Sequence, residues 1–168
     1  MTTVFFAGGG TGGHLMPALA IADAMVRLDA SVRPFFLGSR RGIEANVLPQ
    51  RPWPYELLPL EPLRRRQWWR NASLPLSLVR SVSRVGRLCA EQRPALVVGT
   101  GGYAAGPVVW AAARRGVPAV LQEQNAFPGL ATRWLARRAA QVHLGFPEAR
   151  RYLRPGPSTM MVDSGNPI

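Results

Sequence analysis

The chain has 168 residues, 47% hydrophobic and 18% charged, with a formal net charge of +12; that length suits one domain of about 100 to 200 residues, and that composition excludes a disordered polyelectrolyte. Its 21 basic side chains are all arginine, against 9 acids, a balance that favours nucleic acid, phosphorylated ligands or acidic lipid headgroups. One cysteine, Cys89, excludes a core held by internal disulfides and fits a reducing compartment. Residues 1–6 do not read as a secretory leader, and no apolar run reaches the roughly 18 residues that span a bilayer, so any membrane contact is expected to be peripheral.

In chain order, short apolar runs alternate with stretches of helical spacing, the βα pattern of a parallel sheet covered by helices. Strands are predicted at 4–7, 32–37, 55–60, 96–99, 119–122, 141–145 and 160–162, and helices at 14–28, 42–49, 74–92, 107–115, 129–139 and 147–153. The fold class is therefore α/β, a Rossmann-like doubly wound parallel sheet of about seven strands.

The first strand runs into Gly8-Gly9-Gly10-Thr11-Gly12-Gly13-His14, followed by a helix with Ala18, Ala22, Met25 and Val26 on one stripe. Glycines let backbone approach a ligand, and a helix start offers free N–H groups and a positive dipole end, which together suit a phosphate or diphosphate. The absence of lysine excludes a Walker loop, and the G-x-G-x-x-G spacing is met only loosely. His14 closes this loop at a helix N-terminus, which disfavours the imidazolium and leaves the ring able to accept a proton, as a general base must; the alternative is a histidine that caps or packs. His143 lies within an apolar strand and reads as structural.

The second strand ends in Leu37-Gly38-Ser39-Arg40, without the acid that a ribose-binding oxidoreductase would place there. Further on comes Leu63-Arg64-Arg65-Arg66-Gln67-Trp68-Trp69-Arg70-Asn71-Ala72-Ser73-Leu74-Pro75-Leu76. Paired tryptophans among arginines, with Leu74 and Leu76 after them, have the composition of an interfacial membrane anchor; arginines with stacking aromatics also suit single-stranded nucleic acid. In the helix that follows, Ser73 is the expected N-cap and Pro75 sits in the first turn. Leu78, Val82, Val85 and Cys89 form an apolar stripe opposite Arg80, Arg84 and Arg87.

Two more loops leave strands on the carboxyl edge of such a sheet, where doubly wound folds bind ligands. One is Gly99-Thr100-Gly101-Gly102-Tyr103-Ala104-Ala105-Gly106-Pro107. The other, Gln122-Glu123-Gln124-Asn125-Ala126-Phe127-Pro128-Gly129, carries an acid and three amides. Amides and an acid beside an anion cradle suit a hydroxyl-rich phosphorylated ligand such as a nucleotide sugar or glycolipid. A nucleotide- or nucleic-acid-binding module with a basic surface is the alternative.

These three loops, with Pro17, Ala18, Leu37-Gly38, Glu44, Leu63-Arg64, Phe146-Pro147 and Gly165-Asn166-Pro167, resemble the MurG family of peptidoglycan glycosyltransferases along the whole chain. The resemblance implies the N-terminal, acceptor-binding half of a GT-B enzyme, spanning 1–168, with a C-terminal UDP-sugar domain beyond Ile168 and little turnover expected from this part alone. It implies transfer of N-acetylglucosamine from UDP-GlcNAc to the 4-hydroxyl of lipid I, an undecaprenyl-linked acceptor, to give lipid II, with inversion. His14 would be the base. Thr11, Gly12, Gly13 and Asn125 would reach the UDP-sugar, the glycine loops with Gly10, Gly101 and Gly102 together with Tyr103 would handle the acceptor diphosphate, and Glu123 and Gln124 belong to the same substrate site. Arg64, Arg65, Arg66, Trp68, Trp69, Leu74 and Leu76 would form the membrane patch. No metal or cofactor and no nucleic acid is implied, and the place is the cytoplasmic face of a bacterial membrane, bound peripherally to its anionic surface. Gln122 stands where the family commonly has histidine, and Pro62 where it has glycine.

Overall fold

The structure, a computed structural model, describes residues 1–63 and 71–168. Seven parallel strands form one sheet in the order β3-β2-β1-β4-β5-β6-β7. They are β1 (Thr2–Gly8), β2 (Val32–Ser39), β3 (Tyr55–Leu58), β4 (Leu96–Gly101), β5 (Ala119–Glu123), β6 (Gln141–Leu144) and β7 (Met160–Asp163). The helices are α1 (Gly12–Leu28), α2 (Glu44–Val47), α3 (Leu74–Gln92), α4 (Gly102–Ala113) and α5 (Leu130–Leu135), with short 3-10 segments at Leu48–Gln50 and Pro147–Tyr152.

The pleat explains the core. Phe5 and Ala7 of β1 face one side of the sheet and Val4 and Phe6 the other, so a strand buried on both faces reads as one apolar run. Phe5 and Ala7 pack with Val85, Leu88 and Cys89 of α3, Ala104, Val108 and Ala112 of α4, and Leu135 of α5. Val4 and Phe6 pack with Leu15, Ala18, Leu19 and Ala22 of α1. Phe5 and Phe6 are both fully buried, and truncating either to alanine costs about 3–5 kcal/mol by loss of transfer energy and cavity formation.

Three expectations change. The second glycine cluster is helix, not loop: α4 begins at Gly102 rather than near residue 107, because Gly101 and Gly102, at φ 101° and 80°, complete the turn in two residues and Tyr103, Ala104 and Ala105 are free to continue helically. Ser73 holds the cap position of α3, but its side chain makes no cap bond. The stripe of α3 is rotated from the predicted one: Ser81, Val85, Gly86, Leu88 and Cys89 are buried, Val82 is half-buried, and Leu78 stays 43% exposed. Of the arginines opposite, Arg84 grips Glu56 with two bonds of 2.7 Å, tying α3 to β3.

Candidate active site at the carboxyl edge of the sheet

β1 lies between β2 and β4. From β1 the chain moves towards β3, and from β4 it moves towards β7, so the carboxyl ends of these two strands mark the topological switch point, where a doubly wound fold has its crevice. The glycine loop after β1 and the turn after β4 meet at this point.

The first loop is held from below by Glu44, a fully buried carboxyl at the start of α2. Its Oε2 accepts the Gly10 N–H at 2.9 Å and its Oε1 the Ser39 N–H at 2.8 Å. A β-carbon on Gly9 would overlap that carboxyl group, and Gly10 has φ 90°. Thr11 then caps α1 with extended backbone, no side-chain cap bond and no acid in the first turn. The N–H groups of Gly12 and Gly13 have no intrahelical carbonyl to reach, and Gly13 is exposed, so this helix end offers donors and a positive dipole to an anion.

The second turn interlocks with the first. A β-carbon on Gly102 would overlap the Gly9 carbonyl oxygen, and one on Gly101 would stand 2.7 Å from His14 Nδ1. Tyr103 is half-buried with its ring against Gly10, and its hydroxyl donates to Ser39 Oγ at 2.9 Å. That hydroxyl in turn donates to the Leu60 carbonyl at 2.9 Å. Tyr103 therefore braces the glycine loop.

His14 sits where the three segments meet. The Thr100 hydroxyl donates to the His14 carbonyl at 2.6 Å. His14 Nδ1 lies 3.1 Å from the Thr100 carbonyl oxygen and 3.4 Å from Gln124 Oε1. Two oxygen acceptors at one ring nitrogen place the proton on Nδ1, leaving the Nε2 lone pair as the acceptor. Within the third loop, buried Glu123 takes the Asn125 N–H at 3.1 Å, Asn125 Nδ2 at 2.9 Å and the Gly129 N–H at 3.1 Å. Glu123 thus shapes the loop from beneath, and Asn125 is itself exposed.

The arrangement sets the open N–H groups of a helix start, an imidazole and an amide on one rim, and residues 4–144 match the glycosyltransferase family 28 N-terminal domain. The chain belongs to that family. It is 42% identical over 155 residues to the UDP-N-acetylglucosamine–N-acetylmuramyl-(pentapeptide) pyrophosphoryl-undecaprenol N-acetylglucosamine transferase of Prosthecochloris aestuarii, covering 90% of this chain and 42% of that protein. It is 40% identical over 172 residues to the transferase of the same name from Myxococcus xanthus, covering 100% of this chain and 43% of that one. The crystal structure of Acinetobacter baumannii MurG superposes with a TM-score of 0.78 at 26% identity, over 96% of this chain and 46% of that chain. The chain thus spans a little under half the length of these relatives, and its sheet is the Rossmann-like sheet of a GT-B glycosyltransferase.

The family's glycine loops, His14, Gln124 and Asn125 come together at one edge. The basic anchor does not enter this picture: Arg64, Arg65, Arg66, Trp68 and Trp69 lie outside the described residues. Leu74 is half-buried and Leu76 is exposed at the start of α3. Beside them lies an apolar groove of about 780 Å³ between α3, α4 and α5, which includes Val79, Val82, Pro107, Trp110, Leu130 and Trp134. Arg114 lies over the Trp110 ring, 5.2 Å from its centroid. Sequence reasoning missed this groove because its residues come from three helices, and it set Leu78, which is exposed, on the apolar stripe of α3. It missed the clamp role of Glu44 for the same reason.

Proposed function

We propose that this chain is the acceptor-binding half of an inverting, UDP-sugar-dependent glycosyltransferase that places N-acetylglucosamine on the 4-hydroxyl of a diphosphate-linked, polyprenyl-anchored muramyl acceptor, converting lipid I to lipid II in peptidoglycan synthesis. The observation that carries this reading is the His14 ring, whose Nδ1 is committed to backbone and amide oxygens and whose Nε2 makes no hydrogen bond among the described residues. An imidazole so held can take a proton from an alcohol. In the step proposed, Nε2 accepts the acceptor's 4-hydroxyl proton as the oxygen forms its bond to the donor's anomeric carbon from the face opposite UDP. The glycosyl C–O bond to UDP breaks with its electron pair, and the configuration at that carbon inverts.

The N–H groups at the start of α1 and the turn at Gly101 and Gly102 supply electrostatic stabilisation for diphosphate charge. Asn125 and the Thr11–Gly13 segment face a donor held mainly by a second, C-terminal domain. The groove between α3, α4 and α5, with the Arg64–Trp69 segment, fits peripheral binding to an anionic membrane that presents the lipid acceptor. No helix among the described residues is long and apolar enough to cross a membrane.

The test is N-acetylglucosamine transfer to a lipid I analogue by the protein carrying this domain joined to its donor half. His14→Ala is expected to lower turnover by roughly 10²- to 10⁴-fold, the range general base catalysis supplies, with the fold intact. Unchanged turnover removes the assignment. For the membrane part, flotation with anionic vesicles is expected to fall when Trp68 and Trp69 become serine, and indifference argues against the patch.

A further inference from the structure

Gln124 is 8% exposed and Gln122 is 4% exposed, and the direction of the Gln124 amide is set by the protein atoms around it. Gln124 Nε2 faces three oxygens: the Thr100 carbonyl at 2.9 Å, the Gln122 carbonyl at 3.4 Å, and Gln122 Oε1 in short contact. Turning the amide over would set its own oxygen against all three. The orientation with Nε2 towards them is therefore imposed, and it leaves Gln124 Oε1 facing His14 Nδ1 at 3.4 Å.

The Thr100 carbonyl, which receives Gln124 Nε2 at 2.9 Å, also receives His14 Nδ1 at 3.1 Å. A line of amides thus runs from the end of β5, across the end of β4, to the ring at the start of α1. We propose that Gln124, oriented by Gln122, is a positioning residue that locks His14 in its Nδ1–H tautomer and aims Nε2 into the crevice. The consequence for catalysis rests on the transferase reading above; the tautomer does not.

Physically, a base on Nε2 is useful only while Nε2 is unprotonated, and in a neutral imidazole the choice between the nitrogens is decided by the acceptor or donor beside each one. Gln124 adds a second acceptor beside Nδ1 and steadies the first by binding the same carbonyl. Gln122 contributes by presenting Oε1 to Gln124. Its own Nε2 has no partner and the side chain borders a cavity of about 340 Å³ that includes Met25 and His143, so a methionine of similar length fits there while removing the acceptor.

The experiment is a long-range proton–nitrogen NMR correlation on the 168-residue chain labelled with ¹⁵N-histidine, at a pH where His14 is neutral. In the unmodified chain His14 is expected almost wholly as Nδ1–H; finding it mainly as Nε2–H overturns the proposal outright. In Gln124→Met the Nε2–H fraction is expected to rise several-fold, and in Gln122→Met by a smaller amount in the same direction, with backbone spectra confirming the fold. If Gln124→Met does not fold, the Gln122→Met variant and the unmodified chain decide. An unmoved tautomer in a folded variant overturns the role of the residue changed.

In the two-domain protein, Gln124→Met is expected to lower kcat roughly tenfold or more with KM for both substrates unchanged, as a misaimed base does. A moved tautomer with unchanged turnover supports the positioning role and overturns His14 as base. An unmoved tautomer with reduced turnover overturns the positioning role and leaves His14 as base standing.

Discussion

Replacing Glu44 by glutamine changes one atom beneath the glycine loop, and its effect can be worked out from the bonds present. Glu44 Oε2 takes the Gly10 N–H at 2.9 Å and Oε1 takes the Ser39 N–H at 2.8 Å, joining the loop after β1 to the end of β2 across a sequence separation of 34 between Gly10 and Glu44. Glutamine keeps the shape but offers one oxygen, so one of the two N–H groups loses its acceptor and meets an NH₂ group instead. A buried donor left unsatisfied costs about 1–3 kcal/mol.

Since 1 kcal/mol moves Tm by about 2–4 °C in a domain of this size, Glu44→Gln at about 1–3 kcal/mol should lower Tm by ~2–12 °C. Glu44→Ala leaves both donors unpaired and opens a cavity, and should at least double that fall. Thermal unfolding followed by circular dichroism measures both, and amide exchange at Gly10 and Ser39 identifies which bond was lost. A Glu44→Gln melt within about 1 °C of the parent, with exchange at both amides unchanged, would refute the clamp.

Burial holds the His143 imidazole below its ordinary value of 6.5. The unfolded chain therefore binds the proton more readily, so the stability His143 contributes is complete above about pH 6.5 and is lost as pH falls towards the depressed folded value. His143→Gln should flatten the stability profile between about pH 7 and 5, seen in melts across that range; an unchanged slope counts against it. Burial also raises the Cys89 thiol, with the Arg115 charge opposing, so a thiol-disulfide reagent at pH 8 should react slowly with the native chain and fully on unfolding; fast native reaction would contradict this. Gly102→Ala puts a side chain at φ 80° against the Gly9 carbonyl. With about 1–2 kcal/mol from the left-handed backbone alone, Tm should fall by at least about 2 °C, and an unchanged melt would show that the two turns do not interlock.

The linear sequence determined what depends on neighbours a few residues apart. Alternation of apolar runs with helical spacing located all seven strands, because the pleat and the helix each impose a short period, and Gly8–His14 announced a glycine-led, open helix start because glycine and an open first turn are local properties. Glycine also misled: read as a loop, the segment from Gly99 to Gly106 hid a helix that begins at Gly102. Tertiary structure alone decided what required distant segments to meet. It set β1 beside β4, brought Gln124 to His14 across 110 residues, slid Glu44 beneath Gly10, and turned Val79, Trp110 and Trp134 of three helices into one groove. None of these contacts leaves a periodic trace along the chain, because each is chosen by how the helices and strands pack together.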